Sequence, residues 1–223
     1  MSDRVSYQRD DLEFARAVTF FDAIFAFAVT LLITTVDDFS PEAWSSFRAL
    51  KESNGSSLLA FAISFVVVVS FWRANHHEVT RFTALDGRLI FLNCAVMFGV
   101  VLIPFATEAL GKLGDLPLPV AVYAIVISGT YVVQHLVVFV ADRRGLRATK
   151  MTRRERTWSL IDTVVLPLVF LGSIPLAYLI SPQAAELSWI SLVVIMPLVG
   201  KLQEVSQQKA RAAGSVPTGK EAP

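Results

Sequence analysis

The sequence predicts an all-α, polytopic membrane protein with six transmembrane helices, and three observations carry this prediction. Hydrophobic residues make up 54% of the 223 residues and charged residues only 17%, with a mean hydropathy of +0.55; a soluble domain carries about 25% charged residues. The apolar residues lie in runs of about 17–24, long enough to cross a bilayer core about 30 Å thick as helices. Lys and Arg concentrate between alternate runs, as in a multi-span protein.

Six apolar runs are the expected spans, taken in chain order. They cover Ala17–Val36, Ser57–Trp72, Leu89–Ala109, Leu118–Val140, Trp158–Ile180 and Leu187–Val199, the last being short. The first follows an acidic stretch that ends at Glu13 and lacks a small-residue cleavage pattern. We therefore expect it to remain as a span and not to be removed as a signal peptide.

Each of the other runs is bounded by polar or basic residues. The second ends before Arg73, the third follows Arg88, the fourth ends before Arg143, the fifth follows Arg156 and the sixth ends before Lys201. Together the six runs form one transmembrane domain, residues 1–203. The tail 204–223 is rich in Ala, Gly, Ser and charge, and is expected to be disordered because it has little apolar surface to bury.

The distribution of basic residues predicts the orientation. Seventeen of the 20 Lys and Arg residues lie on one side of the predicted membrane, and the other side keeps only Arg48, Lys51 and Lys112. The positive-inside rule then places both termini in the cytoplasm. We expect the protein in the cell (plasma) membrane. The basic loop 143–156 is interpreted as a topology signal that contacts anionic lipid head groups.

Composition and motifs exclude several functional classes. The net charge of +1 creates no general field for nucleic acid, and the single cysteine, Cys94, allows no internal disulfide. The sequence contains no catalytic triad context, nucleotide-binding loop or potassium-channel filter motif of backbone carbonyls. We expect no enzymatic activity and no cofactor.

Ionisable residues inside the apolar runs are the first functional candidates, because a charge in a membrane is costly unless it is paired or used. Arg16 and Asp22 lie about 240° apart around the first helix, so Asp22 needs a partner on another helix. His76 and His77 end the second run at the same depth, which predicts a network of Arg16, Asp22 and one histidine. That network either clamps the helices or contributes to gating or pH sensing.

Three other features carry alternatives. His76 and His77 are adjacent and point about 100° apart, so they are not expected to chelate a metal. His135 is interpreted as an interhelical hydrogen-bond donor in preference to a proton relay. Asp162 follows the basic loop, which it could contact.

The first run carries a stripe formed by Phe20, Phe27, Leu31 and Thr34, with Thr30 beside it. Asp22 lies about 140° from Phe27 and faces elsewhere. The stripe is apolar toward the cytoplasm and carries hydroxyls toward the outside. On pattern alone, this is a helix buried in a bundle, with small residues that allow close packing.

Two motifs resemble those of the TMEM175-type potassium channel family (the DUF1211 proteins). The first is Arg16, then Phe20, Phe21 and Asp22, then Thr30, Leu31 and Leu32. The second comprises Phe71 and Trp72, then Asn75, His76 and His77, then Asp86, Arg88, Leu89, Asn93, Pro104 and Phe105. Together they cover about half of the chain.

The resemblance implies a homotetramer whose first helices line a central pore. By motif position, Phe27, Leu31 and Thr34 would form a hydrophobic constriction with Thr30 alongside, while the arginine, the aspartate and a histidine brace the helix. K⁺ and other monovalent cations are the expected permeating species and membrane lipids the other partners. Two residues depart from the family pattern: Phe21 replaces a serine, and Phe27 replaces an aliphatic residue.

Three alternatives to a passive potassium channel stay open. A proton-coupled secondary transporter would use Asp22, the histidines and Asp162 as relays. A weakly selective cation or proton leak channel would keep the fold and lose potassium selectivity. A membrane scaffold would conduct nothing.

Overall fold

The computed structural model describes residues 6–36, 40–192, 195, 198–202 and 205 of the chain. Its elements in chain order are β1 (Ser6–Gln8), α1 (Leu12–Leu31) with a 3₁₀ extension (Leu32–Thr35), a 3₁₀ turn (Ala43–Ser45), α2 (Phe47–Val79), β2 (Ala84–Asp86), α3 (Gly87–Leu113), α4 (Pro117–Arg143), α5 (Arg153–Leu179) and α6 (Pro182–Trp189). Among these residues, five helices are long and apolar enough to cross a membrane.

The five long helices confirm the first five predicted runs and extend most of them. α2 has 33 residues, about 50 Å of helix, and is therefore longer than the bilayer core is thick. The extensions follow from local signals that hydropathy ignores. Ser46 caps the start of α2, and Thr152 and Glu155 form a capping box at the start of α5.

The sixth predicted span is only partly visible. α6 begins at Pro182, five residues before the predicted run, because Ser181 caps it by accepting a hydrogen bond from the Ala184 amide. It ends at Trp189, and residues 193, 194, 196 and 197 of the predicted run lie outside the described residues. Almost all of the predicted tail 204–223 lies outside them as well.

The all-α prediction needs one correction. β1 and β2 form a two-stranded antiparallel sheet in which Ser6 pairs with Asp86 and Gln8 with Ala84. Three-residue strands are too short to show the alternating pattern by which strands are recognised in a sequence. This sheet ties the segment before α1 to the loop between α2 and α3.

The loops predicted to share one side do meet at one end of the bundle, which we call the basic end. It is formed by the segment before α1, the α2–α3 loop and the α4–α5 loop. The Arg9 amide donates to the Thr83 carbonyl at 2.9 Å, and the Thr83 amide donates to the Leu146 carbonyl at 3.0 Å. Arg144 pairs with the buried Asp86, which also caps α3. Salt bridges and backbone bonds thus gather the basic residues on one side.

Helices α3 and α4 are the most buried of the long helices and pack tightly against each other at Gly99. A Cβ at Gly99 would overlap the Thr130 hydroxyl, which cannot rotate away freely because it donates to the Val126 carbonyl at 2.7 Å. Small residues at such contacts allow helix backbones to approach in a membrane.

We therefore expect Gly99→Ala to lower the free energy of unfolding by about 1–3 kcal/mol through overpacking. Gly129→Ala is the matched control, since nothing lies within 4 Å of a Cβ at Gly129. The control should be neutral or stabilising, because alanine favours helix more than glycine. Thermal unfolding in detergent measures both, and equal melting temperatures for the two variants would contradict the packing argument.

Candidate ion pathway along the first helix

Helix α1 buries one face and exposes the other. Its buried residues recur at intervals of three, four and seven, which places them on one stripe: Phe14, Phe21, Phe25, Ala28 and Leu32. That stripe belongs to the hydrophobic core. Residues beside the stripe, such as Ile24 and Val29, are partly buried against that core, whereas the opposite face of the helix is uncovered within the described part of the chain.

The predicted constriction residues lie on the exposed face. Phe20 is 55% exposed, Phe27 67% and Leu31 48%, and Thr30 and Thr34 lie beside them. The expectation from pattern alone, a helix buried on all sides, is therefore wrong for a single chain. A second molecule or lipid must cover this face in the membrane.

The threonine hydroxyls of the stripe donate hydrogen bonds to backbone carbonyls of their own helix. Thr30 Oγ1 donates to the Phe27 carbonyl at 2.9 Å, and Thr34 Oγ1 donates to the Leu31 carbonyl at 2.7 Å. Each hydroxyl oxygen keeps its lone pairs available as an acceptor. Oxygen lone pairs are the ligands that alkali cations accept in place of water.

The end of α1 aligns two of these residues in a way that α-helical spacing does not. Residues 32–35 form a 3₁₀ helix, in which residues three apart eclipse each other. Leu31 and Thr34 therefore point in nearly the same direction, whereas α-helical spacing would separate them by about 60°. The apolar and hydroxyl-bearing parts of the stripe form one continuous line.

Phe21, which departs from the family pattern, does not lie on this line. It is 2% exposed, and its ring meets that of Phe20 edge-on with centroids 6.4 Å apart. The loss of the family serine therefore alters the packing of the core and not the exposed face.

Asp22 has a different partner from the predicted one. Trp72 Nε1 donates a 2.9 Å hydrogen bond to Asp22 Oδ1, and the His76 ring lies 5.6 Å from the indole ring of Trp72. Among the described residues, neither Arg16 nor a histidine bonds to Asp22. The indole of Trp72, one helical turn before His76, occupies the position next to the Asp22 carboxylate.

The correction has a physical basis in α2. Trp72 and His76 are four residues apart and share a face, so either could approach α1. In the sequence the tryptophan stands out only as part of a motif. Its single N–H donor and its position one turn inside the membrane are the signals that identify it as a partner for a carboxylate. His77 is exposed at the basic end, and Arg16 is exposed on α1.

The remaining polar residues of the second motif hold α2 to α3. The buried Asn75 donates to Asn93 Oδ1 at 3.1 Å, and Asn93 donates to the Leu89 carbonyl at 2.8 Å. Asp86 accepts from the amides of Arg88 and Leu89. These contacts stabilise the packing of α2 on α3 and the start of α3.

His135 is confirmed as an interhelical contact. Its Nε2 lies 3.2 Å from Asp162 Oδ2, which also accepts a 2.9 Å hydrogen bond from the Tyr131 hydroxyl. Asp162 thus pairs with α4, and not with the basic loop as predicted. Within the described part of the chain, no three His, Cys, Asp or Glu side chains are placed to hold a metal ion.

Comparisons with known proteins show what this chain is similar to. Residues 16–104 match the family model described as endosomal/lysosomal potassium channel TMEM175. A potassium channel of Chryseobacterium sp. (strain P1-3) is 26% identical over 110 residues, covering 49% of this chain and 55% of that protein. A potassium channel of Streptomyces collinus (strain DSM 40733 / Tue 365) is 32% identical over 101 residues, covering 45% and 48%.

The fold is also shared with a solved structure. The lysosomal potassium-selective channel TMEM175 homolog from Chamaesiphon minutus superposes with a TM-score of 0.63 at 22% identity, over 83% of this chain and 97% of that one. The matches to the curated relatives span about half of their length. The matched segment contains the first sequence motif, most of the second, the exposed face of α1 and the Asp22–Trp72 contact, and over this segment the chain is similar to the TMEM175 family.

Proposed function

We propose that this protein is a passively conducting, potassium-permeable channel in which four copies assemble around an axis lined by α1. The observation that carries the proposal is the exposed stripe of Phe27, Leu31 and Thr34 on the helix that bears the first family motif. The similarity of residues 16–104 to the TMEM175 family model, and of half of the chain to relatives named potassium channels, supports the choice of ion.

The stripe suits a pore in two respects. Its apolar rings would form a narrow zone from which water can withdraw, and its hydroxyl oxygens would offer ligands beside that zone. A single helix cannot enclose a pathway, so symmetric copies are needed. The Asp22–Trp72 hydrogen bond would keep α1 fixed against α2 while its other face meets the axis.

The proposal includes topology. We place the protein in the cell membrane with both termini in the cytoplasm. The basic end then lies on the cytoplasmic side, and a sixth span begins in α6. The outer loop that follows α1 would attract cations. Its Asp37 and Asp38 lie outside the described residues, and Glu52 already pairs with Arg48 at 2.8 Å.

The direct test is ion flux from liposomes that contain the purified protein. We expect K⁺ efflux that does not saturate and needs no proton gradient, together with a tetramer in native mass spectrometry. Saturable flux that requires a proton gradient would instead identify a transporter, and a monomer without flux would identify a scaffold. Reversal potentials in mixed K⁺, Na⁺ and H⁺ gradients separate a selective channel from a leak.

Cysteine labelling tests the line of the pore. In a Cys94→Ser background, we expect Thr34→Cys to lose most of its K⁺ flux when a membrane-impermeant thiol reagent is added outside, because Thr34 would face the axis. Ile33→Cys is the control: Ile33 is 57% exposed but lies about 120° from Thr34 on the 3₁₀ helix. Equal block at both positions, or none at Thr34, would contradict the assignment.

A further inference from the structure

A second site lies away from α1, in a cavity of about 600 Å³ at the basic end. Helices α2, α4 and α5 form its walls, and the loop between α4 and α5 contributes Arg147, Thr149 and Lys150 to its lining. The lining residue of α4 farthest from the basic end, Tyr131, lies twelve residues before the end of that helix, so the cavity extends about 18 Å along α4. The cavity therefore begins at the level of the lipid head groups.

The carboxylates that line the cavity are already paired. Glu78 binds Arg147 at 2.5 Å and Arg81 at 3.3 Å. Glu155 accepts from the amide and hydroxyl of Thr152. Asp162 accepts a hydrogen bond from the Tyr131 hydroxyl on α4. Each of these carboxylates has a donor, so the cavity has little capacity left to bind a cation.

The polar groups of the cavity that still lack partners are hydrogen-bond donors of basic side chains. Among the described residues, the Lys150 ammonium and the His77 ring have no hydrogen-bond or ion-pair partner, and Arg81 bonds through only one of its guanidinium nitrogens. Arg147 is anchored by Glu78 with 7% of its side chain exposed, and its Nε has no partner. Lys150 and Arg81 remain able to move toward a ligand, because both are exposed.

We propose that this cavity binds a phosphate-bearing anion, held mainly by Lys150 and Arg81. Phosphate oxygens accept several charge-assisted hydrogen bonds at once, which matches a lysine and an arginine that have donors to spare. The anion can be the phosphodiester of an anionic lipid or a soluble phosphate. The depth of the cavity suits both, since it opens at the basic end of the bundle.

The test uses the full chain in mild detergent, with short-chain phosphatidylglycerol, phosphatidylcholine and inorganic phosphate as probes. Binding is measured by native mass spectrometry and by the rise in melting temperature on titration. We expect Lys150→Gln to weaken binding of the favoured phosphate probe about tenfold, the loss of one charge-assisted contact, and Lys150→Arg to restore it. Tight binding of phosphatidylglycerol alone identifies a lipid site, and tight binding of inorganic phosphate identifies a soluble ligand.

Arg153→Gln is the matched control. It removes the same charge from the same end of the bundle, but Arg153 is exposed and does not line the cavity. Its affinity should stay within about twofold of the unmodified protein, since a distant surface charge is screened by salt. Equal weakening by Lys150→Gln and Arg153→Gln would overturn the proposal, and so would equal binding of phosphatidylglycerol and phosphatidylcholine without phosphate binding. None of these readouts depends on ion flux.

Discussion

Phe27→Ala is expected to raise K⁺ flux from liposomes about tenfold or more. In the proposed tetramer, four Phe27 rings meet at the axis and make the narrowest apolar zone. Truncating them widens this zone and lets water and ions enter it, and each lowering of the barrier by about 1.4 kcal/mol multiplies the rate about tenfold. K⁺ flux is measured with a pH-sensitive dye that reports the proton entry balancing K⁺ efflux, or with a K⁺-selective electrode. All variants are compared at equal amounts of incorporated protein.

The control for Phe27 is another equally exposed phenylalanine. Phe98 on α3 is 69% exposed, against 67% for Phe27, and lies outside the first helix. Phe98→Ala should leave flux unchanged. Phe27→Leu, which restores the aliphatic character usual in the family, should give an intermediate flux. If Phe27→Ala and Phe98→Ala behave alike, α1 does not line the pathway.

Asp142→Asn is expected to destabilise the fold strongly, because it removes the buried charge of an ion pair between two helices. The Asp142 side chain is fully buried and accepts from the Met151 amide at 2.7 Å and from Arg156 at 2.6 Å. It thereby connects the end of α4 to the start of α5. Asparagine would leave Arg156 without its counter-charge.

The expected loss is about 2–3 kcal/mol, less than for a fully buried pair because Arg156 keeps 37% of its side chain exposed. In detergent this corresponds to a fall of about 5 °C or more in melting temperature. Glu108→Gln is the control: it breaks an exposed pair with Lys112 and should cost at most about 0.5 kcal/mol. Adding Arg156→Gln to Asp142→Asn should recover part of the loss, and independent effects of the two changes would contradict the pairing.

Features that depend on one helix at a time could be predicted from the sequence. The first five spans, the grouping of basic loops and the common stripe of Phe27, Leu31 and Thr34 follow from length, charge and helical period. Contacts between helices were harder to predict from the sequence. Asp22 was correctly expected to find a partner on the second helix, but sequence spacing could not distinguish Trp72 from a histidine one turn away.

The sequence by itself determined that this is a multi-pass helical membrane protein whose first half is similar to the TMEM175 family, because hydropathy and motif spacing are properties of the chain read in order. Only the tertiary structure decided which face of α1 is left uncovered, that a 3₁₀ turn aligns Leu31 with Thr34, and that a polar cavity lies between α2, α4 and α5. These three features depend on how side chains pack between helices that are distant in sequence. Periodicity gives a residue's direction around its own helix, whereas packing alone determines what it meets there.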